Sequence, residues 1–245
     1  MSKTRYAIYY TPCPDSPLWA FGASWLGRDD QALDSAKRLK VKGFKASEVA
    51  DITAGARLYG FHATLKAPFR LADGYDLEML DEAIEAFACA REPAVIHPWE
   101  LTELDGFVAL RPKKPGKALC ALAAACVREF DHFRAPMTKE ERRRREKMAL
   151  GERQMKLMKK WGYPFVLEEF RFHMSLSERL KPKDRAVLID ALRPHAEPFL
   201  GKKALLDRLS LFRQKEPGKA FEMVKSYPLR ALRDPRIAAK SQKRD

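Results

Sequence analysis

The sequence predicts an α+β fold built from two similar lobes. Two observations carry this. An order of strand, helix and strand pair occurs twice, starting near residue 58 and again near residue 168. Strands and helices are also interleaved along the chain in a way that suits sheets with helices packed on one face. The chain is expected to form one domain over residues 1–232, with lobe one at about 45–112, lobe two at about 165–230 and a helical connector at 117–161. Residues 233–245 are basic, lack an apolar period and are expected to be mobile.

The elements follow in order. RYAIYY (5–10) is rich in β-formers and reads as a first strand, closed by the turn residues TPCPDSP. Residues 17–27 and 29–40 read as short helices, and RLYGFHATLKAPF (57–69) as a strand ended at Pro68. DLEMLDEAIEAFACARE (76–92) places Leu77, Leu80, Ile84 and Phe87 at helical spacing. PAVIHPWELTEL and GFVALRP form a strand pair around Asp105-Gly106. Residues 117–133 and 138–161 read as two helices, the second opened by a Thr138/Glu141 capping box. EEFRFHMSLSERL (168–180) reads as a strand, and 182–195 as a helix begun by Pro182. Residues 205–214 and 219–227 form a hairpin.

Composition narrows the function classes. Apolar residues make up 46% of the 245, enough to build a core and to exclude wholesale disorder. No apolar run approaches the roughly 18 residues of a membrane span. The N-terminus lacks the apolar stretch of a secretory signal, and the four cysteines contain no CxxC pair. A cytoplasmic protein with reduced thiols, no metal site and no membrane partner is the expectation. There is no GxGxxG, GxxxxGK[ST], HExxH or GxSxG.

The formal charge is +14, and it is localised. Residues 1–137 balance 18 basic against 18 acidic side chains, so the excess lies beyond them. Residues 138–160 alone hold ten basic and four acidic residues. This stretch reads as a solvated helix face with i,i+4 pairs such as Glu141–Arg145, or as an electropositive surface for a phosphate-bearing ligand or RNA.

The chemistry sits in two matching segments, Phe61-His62-Ala63-Thr64-Leu65 and Phe172-His173-Met174-Ser175-Leu176. Each reads Phe-His-x-hydroxyl-Leu. In a strand, residues i and i+2 share a face. Phe61, Ala63 and Leu65 therefore oppose His62, Thr64 and Lys66. Likewise Phe172, Met174 and Leu176 oppose Arg171, His173 and Ser175. Paired imidazoles suit in-line displacement at phosphorus: one takes a proton from the attacking water, the other protonates the leaving oxygen. Thr64 and Ser175 can hydrogen-bond the non-bridging oxygens, and Arg171 or Lys66 can balance the added charge. No cofactor or metal is required by this scheme.

Two such motifs in the two halves of a duplicated chain resemble the two-histidine (2H) phosphoesterase superfamily, which includes RNA 2′-5′ ligase-like proteins and cyclic nucleotide phosphodiesterases. The resemblance implies two α+β lobes with antiparallel sheets around a central cleft and helices outside. It also implies catalytic His62 and His173, with Thr64 and Ser175 beside them. Ser175 replaces the commoner threonine and keeps the hydroxyl. The segments RYAIYYTP, YGFHATLKAPFRL and FRFHMSLSERL are similar to a branch found with bacterial carbon–phosphorus lyase operons (DUF1045-like), over residues 4 to about 230. That context implies a metal-independent enzyme of phosphonate catabolism acting on a small cyclic phosphodiester of the phosphoribosyl cyclic phosphate type. The alternatives are an RNA 2′,3′-cyclic phosphodiesterase or 2′-5′ RNA ligase-like enzyme, and a non-catalytic module that binds phosphate esters or RNA.

Overall fold

The computed structural model describes residues 3–30, 36–146 and 149–230. Strand β1 (Arg5–Tyr10) is buried on both faces, as its unbroken run of apolar residues requires. Ile8 and Tyr10 enter the main core, while Ala7 and Tyr9 meet Phe212 and Phe221 on the opposite face. Helix α1 (Pro17–Leu26) starts with the Ser16 hydroxyl accepting from the Trp19 amide, and ends at Gly27 with a left-handed φ of 62°. Helices α2 (Ala46–Ile52) and α3 (Ala54–Tyr59) lead into β2 (Ala63–Phe69). Next come α4 (Leu77–Cys89), β3 (Ala94–Ile96), β4 (Trp99–Leu104) and β5 (Phe107–Pro112). The connector holds α5 (Lys117–Glu129), α6 (Lys139–Glu146) and α7 (Glu152–Trp161). A 3-10 turn (Leu167–Glu169) precedes β6 (Met174–Ser175), α8 (Pro182–Ala196), β7 (Ala204–Leu206), β8 (Arg208–Gln214) and β9 (Glu222–Pro228).

The class is α+β with antiparallel sheets. One sheet has the order β2-β1-β8-β9 and another β4-β5-β6; β3 and β7 form a short ladder of their own. Each large sheet carries one histidine motif at a strand end. Leu65 and Leu211 from the first sheet and Leu110 and Met174 from the second share one apolar core. Among the described residues no helix is long and apolar enough to cross a membrane.

The lobes are divided differently from the sequence expectation of 45–112 and 165–230. The C-terminal hairpin β8–β9 joins β1 and β2, whereas the β4–β5 hairpin of the first half pairs with β6 of the second. The two halves of the chain therefore exchange strand pairs.

Several elements also differ locally. Residues 57–59 end α3, because Gly60 at φ 81° breaks the chain before an extended segment can form. Of the 168–180 strand only Met174–Ser175 pairs, since β6 meets β5 at two positions, Ala109↔Ser175 and Leu110↔Met174. Residues 36–40 are irregular; 31–35, from the same predicted helix, lie outside the described residues, as do 231–245. The Thr138/Glu141 capping box closes from both sides, at 3.1 and 2.8 Å, and Glu141 also takes Arg70 at 3.2 Å. The side chain of Arg145 lies outside the described residues.

Candidate active site

Both motifs build the same local device. Phe61 and Ala63 point into the core, as do Phe172 and Met174, so the residues between them face outward. The His62 Nδ1–H donates to the Gly60 carbonyl at 2.9 Å. The His173 Nδ1–H donates to the Arg171 carbonyl at 2.7 Å. A carbonyl only accepts, so each bond places a proton on Nδ1 and leaves Nε2 as the nitrogen that can take or give a proton. Thr64 Oγ1 lies 3.3 Å from His62 Nε2.

His62, Thr64, Arg171, His173 and Ser175 all line one cleft of about 560 Å³. That volume suits a small ligand. Burial lowers the His62 pKa to about 4 despite its hydrogen bond to the Gly60 carbonyl, with His173 and Arg28 adding to the fall. The two histidines are thus close enough that a proton on one disfavours a proton on the other. Burial also lowers the His173 pKa; there the Arg171 carbonyl and the Asp105 carboxylate pull upward. Burial thus favours the neutral form of both imidazoles, and at His173 the Asp105 carboxylate opposes that shift.

Lys66 does not reach this cleft. The register Ile8↔Lys66 followed by Tyr9↔Thr64 leaves Leu65 as an extra residue in β2. This bulge breaks the two-residue alternation, so Leu65 and Lys66 are both buried in succession. The Lys66 ammonium donates to the Val127 carbonyl and to Asp131, each at 3.2 Å. Asp131 in turn binds Arg134 at 2.8 Å. Lys66→Met is expected to lower stability by about 1–3 kcal/mol, because Asp131 and the Val127 carbonyl lose a buried donor while Asp131 keeps Arg134, and to leave KM unchanged. Denaturant midpoints and steady-state kinetics check both; a raised KM would return Lys66 to the substrate.

Supporting residues come from remote segments. Tyr9 stacks on the His62 ring, with centroids 3.8 Å apart. Asp30, 2% exposed, accepts from the Phe61 amide at 2.9 Å and pairs with Arg28 at 2.6 Å, which pins the loop carrying His62. Trp25 donates its indole N–H to the Leu176 carbonyl at 2.7 Å, tying α1 to the second motif. α1 approaches the first motif so closely that a Cβ on Gly22 would lie 1.9 Å from Phe61 Cδ1. Gly22→Ala is expected to cost about 1–3 kcal/mol by overpacking and to shift His62, lowering kcat. Thermal unfolding and initial rates test this; an unchanged kcat would contradict it.

The connector also shapes the cleft. Leu157 of α7 packs with Val127 and Val166, and α7 stops at Gly162 with a left-handed φ of 74°. The chain then turns Tyr163, Pro164, Phe165 and Val166 into the cleft wall. Among the described residues none from 138–160 lines it.

The chain is 38% identical over 224 residues to a protein of Janthinobacterium sp. (strain Marseille) named ribose 1,5-bisphosphate phosphokinase PhnN, over 90% of this chain and 49% of that protein. It is 32% identical over 226 residues to a protein of the same name from Laribacter hongkongensis (strain HLHK9), covering 89% of this chain and 50% of that protein. The chain thus spans about half the length of these curated relatives. Among solved structures it is similar to E. coli LigT complexed with NADP+, at 12% identity and a TM-score of 0.43 over 94% of this chain and 99% of that one. Residues 64–222 match the family described as protein of unknown function (DUF1045). That match covers more than half of the chain, and the protein belongs to the DUF1045 family.

Proposed function

We propose that the chain is a phosphoesterase that hydrolyses a small cyclic phosphodiester by paired-histidine acid–base catalysis. The observation that carries this reading is the shared cleft in which both histidines hold Nδ1–H on a backbone carbonyl and keep Nε2 for the substrate. His62, with its pKa held near 4, is the general base. His173, with the Asp105 carboxylate nearby, is the general acid. Water attacks phosphorus and gives its proton to His62 Nε2. The new P–O bond forms as the ring P–O bond breaks, and His173 Nε2 delivers a proton to the departing oxygen. Thr64 and Ser175 hydrogen-bond the non-bridging oxygens. The products are one phosphomonoester and one hydroxyl.

For the substrate, we infer 5-phosphoribosyl 1,2-cyclic phosphate, within phosphonate catabolism. The curated relatives are named for a kinase of ribose 1,5-bisphosphate, and this chain contains no GxxxxGK[ST] phosphate loop of its own. Opening the 1,2-cyclic phosphate on its O2 side yields ribose 1,5-bisphosphate, the compound in that name. The aromatic wall formed by Tyr59, Tyr163 and Phe165 favours a second reading, a nucleoside 2′,3′-cyclic phosphate or an RNA end whose base stacks there.

Phosphorus NMR of the purified protein with EDTA, on a panel of these three substrates, tests the choice. The expected result is conversion of the sugar cyclic phosphate alone, to the 1,5-bisphosphate. Turnover restricted to the nucleotide or the RNA end would move the protein to the second reading. Silence on all three would leave a binding module.

A further inference from the structure

We propose that Arg171 and Arg179 form a subsite for a second, non-reacting phosphate monoester on the substrate. This deepens the cyclic phosphodiesterase reading and rests on it. The two side chains come from the strand-end segment that carries His173 and from the turn after β6, and both line the cleft. They converge on one residue, Asp105. The Arg171 Nη1 donates to the two Asp105 carboxylate oxygens at 3.3 and 3.1 Å, and the Arg179 Nη1 donates to the Asp105 carbonyl at 2.6 Å.

Asp105 sits at the tip of the β4–β5 turn, where Asp105 and Gly106 have φ of 48° and 92°. Left-handed values at both positions suit a two-residue turn, and Asp105 at its tip lines the cleft. Arg179 is further fixed by lying over the Phe107 ring, 4.7 Å from its centroid.

Among the described residues, Arg5, Arg28 and Lys66 are committed elsewhere. Arg5 turns both Nε and Nη2 onto Gln214 Oε1. Arg28 is engaged by Asp30 and by the carbonyls of Arg57, Leu58 and Phe221. Lys66 is buried on Asp131. Arg179 makes no ion pair with a carboxylate among the described residues, and the Arg171–Asp105 pair is half-exposed on both sides, at 50% and 58%. An exposed pair of this kind is weak, so its carboxylate is readily exchanged for an anion of higher charge. Two planar guanidinium groups that both line the cleft and both bond to Asp105 can offer paired N–H donors to the oxygens of a phosphate monoester. The reacting phosphorus would lie between the histidines, and the second phosphate on the Asp105 side of His173. A phosphoribosyl cyclic phosphate carries one reacting and one non-reacting phosphate.

The test compares kcat/KM for 5-phosphoribosyl 1,2-cyclic phosphate with that for ribose 1,2-cyclic phosphate. Wild type is expected to prefer the phosphorylated sugar by roughly tenfold or more, through KM, as expected for charge-assisted hydrogen bonds. Arg179→Gln should collapse that preference, whereas Arg5→Gln should retain it. Equal kcat/KM for the two sugars in wild type would overturn the subsite while leaving the phosphoesterase reading in place. So would a preference that survives Arg179→Gln, or one that is lost in Arg5→Gln instead. Turnover of neither sugar by wild type would overturn the phosphoribosyl substrate and the subsite with it.

Discussion

Replacing either His62 or His173 by alanine is expected to lower turnover of the cyclic phosphodiester by about 10²- to 10⁴-fold, the usual contribution of a positioned acid or base. The double variant should fall little further, because the acid and the base act in one step and their losses do not add. Folding should survive. Both rings are only partly buried, and the apolar neighbours that anchor each motif, Phe61 and Ala63 or Phe172 and Met174, stay in place. Circular dichroism and unfolding midpoints separate the two effects. Single variants that keep wild-type rates would end the paired-histidine account. A variant that loses rate only in proportion to lost folded protein would also contradict it.

The second large effect is on pH dependence. The reactive free enzyme needs His62 neutral and His173 protonated. Its rate therefore rises with pH through the His62 pKa, which lies at about 4. It falls with pH through the His173 pKa, which burial holds below its ordinary value of 6.5. The optimum of kcat/KM is expected on the acid side of 6.5, with a fall of about tenfold per pH unit on the alkaline limb. Phosphate anion in the cleft favours the imidazolium form, so the alkaline limb of kcat should sit at higher pH than that of kcat/KM. Asp105→Asn removes a charge that raises the His173 pKa, and should move the alkaline limb to lower pH. A rate that climbs steadily from pH 5 to 8 would contradict the assignment.

The two histidines could be read from the sequence because the signal is local. Phe-His-x-hydroxyl-Leu states its own burial pattern, and in both copies the outer apolar residues go inward while histidine and hydroxyl face the cleft. The helices with clear apolar spacing and caps also formed near their expected bounds, as in α4 and α8. What could not be read depends on distant partners. Lys66 looked like a cleft residue because alternation was carried past Leu65. The bulge appears only once β2 is laid against β1. The exchange of hairpins between the halves is set by pairing of β1 with β8, some 200 residues away in the chain, which no local pattern encodes. Asp30, Tyr9, Asp105 and Arg179 belong to turns and a remote strand, and they gain their roles only when the fold brings them to a histidine or to the cleft. Gly22 looks ordinary within a helix until the Phe61 ring is placed against it.

The most direct test of the central claim is hydrolysis of 5-phosphoribosyl 1,2-cyclic phosphate in ¹⁸O-labelled water, followed by phosphorus NMR, with wild type and His62→Ala side by side. The account predicts ribose 1,5-bisphosphate carrying one ¹⁸O on the phosphorus at C1, formed by wild type and lost in the variant. Label found only in the sugar hydroxyl, or equal turnover by both proteins, would contradict attack at phosphorus by a water that His62 activates.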